Sequence, residues 1–161
     1  PTVWIGANHP RAIERAARIG DAWFANPQET VEELRERKVD YDAIRRDRGR
    51  ETGIPLFREA FVADSTDEAL DVAGDYLAGK YQRYLDWGQG ETVPDEFGGT
   101  LERLAEECFL LGTPEEICAE IDRYREVGVD RVVVRSMWPG LPREEAVRSI
   151  ERFGDEVIPN V

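Results

Sequence analysis

Apolar residues occur along this chain in two patterns: short uninterrupted runs, and longer stretches in which they recur every three or four positions. The short runs place predicted strands at 3–5, 21–24, 54–63 and 131–135. Short apolar runs bounded by turn residues are typical of strands buried in a parallel sheet, and the longer spacing is typical of one-faced helices. Strands are therefore predicted to alternate with helices, which is the pattern of a parallel α/β fold.

Sequences of the capping-box type mark where three of these helices begin. NPQE at 26–29 predicts a helix that starts at once and continues to the 45–50 region, and STDE at 65–68 predicts the start of a long helix. TPEE at 113–116 has the same form. The segment 88–99 has turn residues and no period, so it is predicted to be a mobile loop or an insertion, either a lid or a surface excursion.

Four parallel strands fit either half of a (β/α)₈ barrel or a small open doubly wound sheet. With 161 residues the chain is too short for a complete eight-stranded barrel, and it enters a strand almost at Pro1. We therefore expect a single partial domain, 1–161, whose N-terminal portion is missing from this sequence. Both folds bind ligands at the carboxyl ends of the strands, which are followed here by residues 6–9, 24–26, 62–65 and 135–140.

The turn after the first strand has the composition of an anion-binding loop. Gly6 and Ala7 leave room for a ligand to approach the backbone. Asn8 or His9 can cap a helix that has a proline at its first position. Arg11 falls in the first helical turn, where the helix dipole disfavours a cation, so it is expected to face a phosphate or solvent. The candidate binding residues are Gly6, Ala7, Asn8, His9 and Arg11.

Other polar residues are compatible with more than one role. His9, the single histidine of the chain, is expected to cap the helix or contact phosphate rather than act as an acid or base. Arg135 ends the fourth strand and Trp138 lies just beyond it, where barrel enzymes place reacting groups. Arg135 equally fits the role of a salt-bridge partner for an acidic neighbour, and Trp138 that of a cover for the barrel mouth. Arg58 and Glu59 are expected to form a structural ion pair. The catalytic residues stay unknown, with Arg135 and Trp138 as candidates.

The net charge of −13, from 34 acidic and 21 basic residues, argues against nucleic acid or an anionic membrane as the main partner. No apolar run approaches the roughly 18 residues that are needed to cross a bilayer. Cys108 and Cys118 fall on separate predicted helices, and no Cys/His cluster has the spacing of metal ligands. Reduced cysteines, no metal and a cytoplasmic location are therefore expected.

Several segments, taken together, resemble one known family. The resemblance is carried by VWIGANHPRAIERAARIGDAW at 3–23, KYQRYLDWGQ at 80–89, FLLGTPEEICAEIDRYREVGVDRVVVRSMWPG at 109–140 and FGDEVIP at 153–159. These segments are similar to the C-terminal half of the luciferase-like flavin-dependent oxidoreductases, and the similarity extends over nearly all of the chain. It implies a TIM barrel whose strands five to eight are present here, with the first four supplied by residues absent from this sequence.

The resemblance also implies a cofactor and a reaction. FMN, or the deazaflavin F420 in one branch, binds at the carboxyl end of such a barrel, with its phosphate near the loop that corresponds to residues 6–11. Reduced FMN and O₂ would oxygenate a small organic substrate, whereas F420 members transfer a hydride. A flavin reductase and homo-oligomers are the implied partners.

A second hypothesis comes from a different functional class. Four strands leave two open sheet edges, which a second copy of the chain can cover. The chain would then be a non-catalytic flavin- or phosphate-binding half-barrel module that functions through dimerisation.

Overall fold

The computed structural model describes residues 1–86 and 101–161. The strands are β1 (Trp4–Gly6), β2 (Ala22–Phe24), β3 (Ile54–Val62), β4 (Leu110–Gly112) and β5 (Val129–Arg135). The helices are α1 (Pro10–Ile19), α2 (Val31–Asp47), α3 (Thr66–Asp86), α4 (Leu101–Cys108), α5 (Pro114–Glu126) and α6 (Arg143–Arg152). A π-helical turn (Phe153–Val157) and a 3₁₀ turn (Ile158–Asn160) follow α6. The predicted loop or insertion at 88–99 lies outside the described residues.

The strand pairings of the described residues are parallel. β1 pairs with β2, and β3 pairs with β5 along its first six residues and with β4 along its last three. Ala25, just after β2, joins the two groups, because its N–H donates to the Pro55 carbonyl at 3.0 Å and its carbonyl accepts from Phe57 N–H at 3.1 Å. The predicted parallel α/β class is confirmed, and the carboxyl ends of the strands lie at one end of the sheet.

Side chains alternate between two faces of this sheet. The outer face packs against helices α1, α2 and α5 through fully or almost fully buried residues: Trp23, Leu56, Ala60, Val62, Ile13, Leu34, Tyr41, Ile117, Ile121 and Tyr124. On the inner face, the ring centroid of Phe24 lies 5.8 Å from that of Trp4 and 6.0 Å from that of Phe57. Arg131 of β5 reaches across to within 5.6 Å of the Trp4 ring centroid, although β2 and β3 lie between. The inner face is therefore concave.

A second apolar cluster lies at the carboxyl end of β3. It joins Phe61 and Ala63 to Ala69, Ala73 and Leu77 of α3, and it includes Cys108, Phe109, Leu111 and Trp138. Helices α3 and α4 thus cover this end of the sheet. Across residues 1–86 and 101–161, no helix has both the length and the apolar character needed to cross a membrane.

Two elements differ from the sequence-based expectation. The helix α2 begins at Val31 rather than at Pro27, because Thr30 and Glu33 form the reciprocal capping box and residues 26–29 form a turn. The short strand β4 was not predicted, since three residues between two helices carry too weak a periodicity. Gly112 ends β4 with a φ of 137°, a backbone conformation that favours glycine.

Candidate functional site

The loop between β1 and α1 is fixed to the core by one tryptophan. The indole Nε1–H of Trp23, in the adjacent strand β2, donates to the Ala7 carbonyl at 2.7 Å. Trp23 is fully buried and Ala7 nearly so. Trp23 therefore holds the carbonyl of Ala7 toward the protein interior, and this bond fixes the position of the adjoining loop backbone.

His9 closes the first turn of α1 as its N-cap, and Pro10 occupies the first helical position, as predicted. The imidazole Nδ1 of His9 accepts from Arg11 N–H at 3.3 Å, and its carbonyl accepts from Ala12 and Ile13 at 2.8 and 3.0 Å. The helix thus satisfies its own first N–H groups. In the described part of the chain, the N–H groups of Asn8 and His9 donate to no backbone acceptor, so the amides available to an anion belong to the loop.

The surface around this loop leaves space for a ligand. Gly6, His9 and Arg11 are exposed, and Asn8 is half-buried. A Cβ built on Gly6 meets no atom within 4 Å, so the packing of the chain itself does not require glycine there. Loop amides beside an exposed guanidinium match the donors that a phosphate accepts from. These residues fit a phosphate-bearing cofactor.

A buried carboxylate organises the other polar cluster of the inner face. Glu59 of β3 is fully buried and accepts from four side chains. Its donors are Arg135 through Nε at 3.0 Å and through Nη2, Trp138 Nε1 at 2.6 Å, Tyr81 OH at 3.3 Å, and Lys80 Nζ. Strand register places Glu59 directly opposite Arg135. The loop after β5 brings in Trp138, and α3 brings in the other two donors.

The donors decide the charge of this carboxylate. Burial pushes the pKa of Glu59 up, but hydrogen bonds from Arg135 and the attraction of Lys80 outweigh burial and hold that pKa below its usual value. Burial lowers the pKa of Lys80 from its ordinary value, although Glu59 opposes the shift. Burial and the Glu59 charge both raise the pKa of Tyr81. Glu59 is thus an anion held by cationic donors, and Tyr81 stays a neutral hydroxyl donor.

A model of the luciferase-like monooxygenase family matches residues 1–131. The chain belongs to this family. Among curated proteins there is no match. The family membership and the parallel strands together assign these repeats to half of a TIM barrel, which sets aside the doubly wound alternative.

Solved structures of similar fold include three oxidoreductases. The monooxygenase RslO1 from Streptomyces bottropensis is 22% identical with a TM-score of 0.75, and 99% of this chain covers 48% of that chain. The oxygenating constituent of 3,6-diketocamphane monooxygenase from Pseudomonas putida, solved with FMN, is 17% identical with a TM-score of 0.71, and the coverages are again 99% and 48%. An F420-dependent secondary alcohol dehydrogenase, solved with an F420-acetone adduct, is 16% identical with a TM-score of 0.72, and 99% of this chain covers 48% of that chain. The chain spans about half the length of these structures.

In this luciferase-like chain, Arg58 and Glu59 do not pair with each other, so that prediction is wrong. Successive residues of a strand point to opposite faces. Arg58 therefore lies on the outer face, where it donates to Tyr124 OH at 3.0 Å, the Asn26 carbonyl at 3.0 Å and the Glu29 carbonyl at 2.6 Å. Arg58 instead fastens the turn that precedes α2.

Arg135 pairs with the carboxylate of Glu59, which agrees with its predicted role as a salt-bridge partner. Trp138 is buried and bonded to the same carboxylate, so both candidates meet at one place. Sequence reasoning missed Lys80 and Tyr81. The available signal was a lysine inside the apolar stripe of α3, next to Leu77 and Tyr81, where a charged residue needs a buried partner.

Cys108 and Cys118 are both free, and burial raises the pKa of the Cys108 thiol to about 12.

Proposed function

We propose that this chain is the C-terminal half of a flavin-dependent oxidoreductase, a luciferase-like monooxygenase that uses reduced FMN and O₂ on a small organic substrate. Family membership supports an oxidoreductase. The observation that carries the cofactor assignment is the loop at the carboxyl end of β1, where the N–H groups of Asn8 and His9 have no backbone acceptor among the described residues. Trp23 holds that loop in place through Ala7.

The proposed cofactor site consists of Gly6, Ala7, Asn8, His9 and Arg11. The amides of Asn8 and His9 would donate to the phosphate, Gly6 would let it approach the backbone, and Ala7 would anchor the loop through its bond to Trp23. Arg11 would add a positive charge from the first turn of α1. His9 serves this site mainly by capping the helix, since its Nδ1 is already the acceptor for Arg11 N–H.

Bound flavin would supply the redox chemistry, which is the reduction of O₂ and transfer of one oxygen atom to the substrate. The residues of this chain orient the reactants and exclude water. The rings of Trp4, Phe24 and Phe57 give the inner face a half-buried apolar floor. Glu59 and its donors fix Arg135 at the carboxyl end of that floor. Arg135 and Trp138 remain the candidate residues for contact with the reacting groups.

An F420-dependent hydride transfer is the second candidate function. Similar folds include an F420-dependent alcohol dehydrogenase and an F420-dependent tetrahydromethanopterin reductase. A phosphate cradle of loop amides serves either cofactor, because both carry a phosphate. We extend the proposal to a cytoplasmic location and a homo-oligomer, and in the FMN case to a separate flavin reductase as donor.

The test compares two glycine variants of the complete protein. Gly6 and Gly79 both have open space where a Cβ would stand, but only Gly6 lies in the proposed site. FMN and F420 are titrated separately, and fluorescence quenching reports binding. We expect Gly6→Ala to weaken binding of the true cofactor about tenfold or more, which corresponds to roughly 1.4 kcal/mol, without lowering the melting temperature. Gly79→Ala should bind as the wild type does.

Four results would discriminate between these proposals. Quenching by FMN alone supports the monooxygenase, and quenching by F420 alone moves the proposal to the hydride-transfer enzyme. Equal binding in Gly6→Ala and wild type would place the cofactor away from this loop. Absence of binding with both cofactors would contradict the flavin proposal as a whole.

A further inference from the structure

The turn at 26–29, between β2 and α2, contains a buried carboxyl oxygen that has no hydrogen-bond partner. The Glu29 side chain is almost fully buried, and its Oε1 accepts from Arg37 Nη1 at 2.6 Å. Its Oε2 is closed off from solvent and has no hydrogen-bond partner in the described part of the chain. Because this atom is covered within the chain itself, no group from outside can reach it unless the turn moves.

Side chains from other elements hold this turn by its carbonyls. Arg58 of β3 donates through Nη1 to the Asn26 carbonyl at 3.0 Å and through Nη2 to the Glu29 carbonyl at 2.6 Å. The Cys108 thiol, at the end of α4, donates to the Gln28 carbonyl at 3.3 Å. Within the turn, Glu29 N–H reaches the Asn26 carbonyl only at 3.4 Å. The shape of the turn therefore depends on Arg58 and Cys108 more than on its own backbone bond.

Charged and titratable groups from four elements surround the turn. They are Arg37 and Glu33 of α2, Arg58 of β3, Tyr124 and Glu120 of α5, and Cys108 of α4. Arg37 lies between two carboxyl groups, because its Nη2 is 3.6 Å from Glu33 Oε1. Arg58 also donates to Tyr124 OH at 3.0 Å, and none of its bonds reaches Glu29 Oε2. An ionised Oε2 therefore gains a donor only if a guanidinium moves or water enters.

We propose that the turn at 26–29 is a pH-dependent latch, which is closed while Glu29 carries a proton and opens when that proton is lost. A neutral carboxyl tolerates an unpartnered buried oxygen at far less cost than an anion does. Loss of the proton leaves an anion that attracts Arg58 away from the turn carbonyls, so the turn loses contacts that hold it. Opening uncovers Gln28 and Cys108, which are 9% and 0% exposed in the closed turn.

The neighbouring buried groups do not change charge in the same pH range. The pKa of Glu29 is raised by burial to about 7, against the opposing attraction of Arg37 and Arg58. Burial raises the pKa values of Cys108 and Tyr124 to about 12, so both stay neutral between pH 6 and pH 8. Within the closed turn, Glu29 is thus the buried group that responds near neutral pH. The latch does not depend on the proposed cofactor or reaction.

Alkylation of Cys108 by iodoacetamide in the complete protein tests the latch. The closed turn covers the thiol, so the rate of alkylation follows the equilibrium between closed and open forms. Tandem mass spectrometry assigns the label to Cys108 and separates it from Cys118. The matched control is Glu29→Gln, whose amide cannot ionise. Thiolate formation by the uncovered Cys108 accelerates both proteins equally as pH rises, so it cancels in the ratio of their rates.

We expect the ratio of the wild-type rate to the Glu29→Gln rate to rise about tenfold between pH 6 and pH 8. This factor follows from a Glu29 pKa of about 7 in the closed turn and of 4.5, its ordinary value, in the open one. A ratio that stays constant over this range would overturn the proposal. If Glu29→Gln does not fold, the wild-type rate is divided at each pH by the rate of the same protein unfolded in urea. That quotient should show the same rise, and a constant quotient would overturn the proposal too.

A low concentration of urea separates the latch from unfolding of the whole chain. Opening of a four-residue turn exposes little surface, so the wild-type rate at pH 8 should change less than about twofold when about 1 M urea is added. A rate that rises with urea as steeply as the global unfolding equilibrium would show that Cys108 is reached through the unfolded chain. That outcome would contradict a local latch even if the pH dependence were present.

Discussion

Two glutamates of this chain are buried to nearly the same extent and yet differ in charge. Glu29, in the turn before α2, is 4% exposed, and Glu59 of β3 is 0% exposed. Burial raises the pKa of Glu29 to about 7, although Arg37 and Arg58 attract its charge. Burial acts on Glu59 in the same direction, but there the donors prevail and the pKa falls below its usual value.

The number of donors explains the difference. Glu59 receives hydrogen bonds from Lys80, Tyr81, Arg135 and Trp138, which occupy both of its oxygens. Glu29 receives one, from Arg37 Nη1 to Oε1 at 2.6 Å, and its Oε2 has no partner among the described groups. A buried carboxylate is thus ionised only where the fold brings enough donors to it. The inner face does so at Glu59, and the turn at Glu29 does not.

Removal of the two carboxyl groups should give the largest contrast. Glu59→Ala leaves Lys80 and Arg135 without the anion they share, and we expect it to lower the free energy of unfolding by roughly 3–5 kcal/mol. Glu29→Ala removes one hydrogen bond from a residue that is partly neutral, and we expect a loss of about 1 kcal/mol. Urea unfolding of both variants at pH 7 measures the difference. Equal losses would show that the donors around Glu59 contribute nothing beyond burial.

Local features of both regions were predictable from the sequence, because they depend on neighbours within four residues. The cap of α1 is His9, one of the two predicted residues, and the proline at its first position and the box formed by Thr113 and Glu116 have the predicted form. The long strand β3 and the following helix α3 also lie where periodicity placed them. Each of these depends on backbone propensity and capping, which a short window of sequence contains.

Long-range contacts decided the features that were not predicted. The sequence at 26–29 resembles a helix start, but the guanidinium of Arg58 holds the carbonyls of Asn26 and Glu29 in a turn. Thr30 then becomes the cap of α2. The partners of Glu59 lie 21 to 79 positions away along the chain, so no local pattern could identify them. The sequence could therefore predict that the candidate site lies at the carboxyl ends of the strands, but it could not predict the hydrogen bonds around Glu59.

The pH dependence of stability should come from Glu29 rather than from Glu59 in the neutral range. With a pKa raised from 4.5 to about 7, folded Glu29 binds more protons than the unfolded chain does between these pH values. Its contribution therefore falls as pH rises through this window, by up to about 3 kcal/mol, and levels off above it. In Glu29→Gln the carboxyl cannot ionise, so the variant should gain stability relative to wild type as pH rises from 5 to 8.

A companion variant for this prediction is Glu33→Gln, which keeps the Glu29 carboxyl and removes a neighbouring charge. Glu33 lies 3.6 Å from the same Arg37 but its side chain is 34% exposed. Glutamine also preserves the capping box at this position. Since the charge of Glu33 is one of the causes that raise the pKa of Glu29, Glu33→Gln should move the pH window of Glu29 toward 4.5 without abolishing it. If the difference in unfolding free energy between Glu29→Gln and wild type does not change between pH 5 and 8, Glu29 is not the titrating group.

The smallest expected effect tests whether the turn itself keeps Glu29 protonated. Thr30→Ala and Thr113→Ala each remove an N-cap hydroxyl from a reciprocal capping box, and each should cost about 1 kcal/mol. Thr30 is next to Glu29, so its loss should loosen the turn, admit water and move the pH window of Glu29 toward 4.5. Thr113→Ala, far along the chain, should leave that window in place. The same pH series of urea unfolding measures both, and an identical shift in the two variants would mean that global destabilisation, not the local turn, controls the ionisation of Glu29.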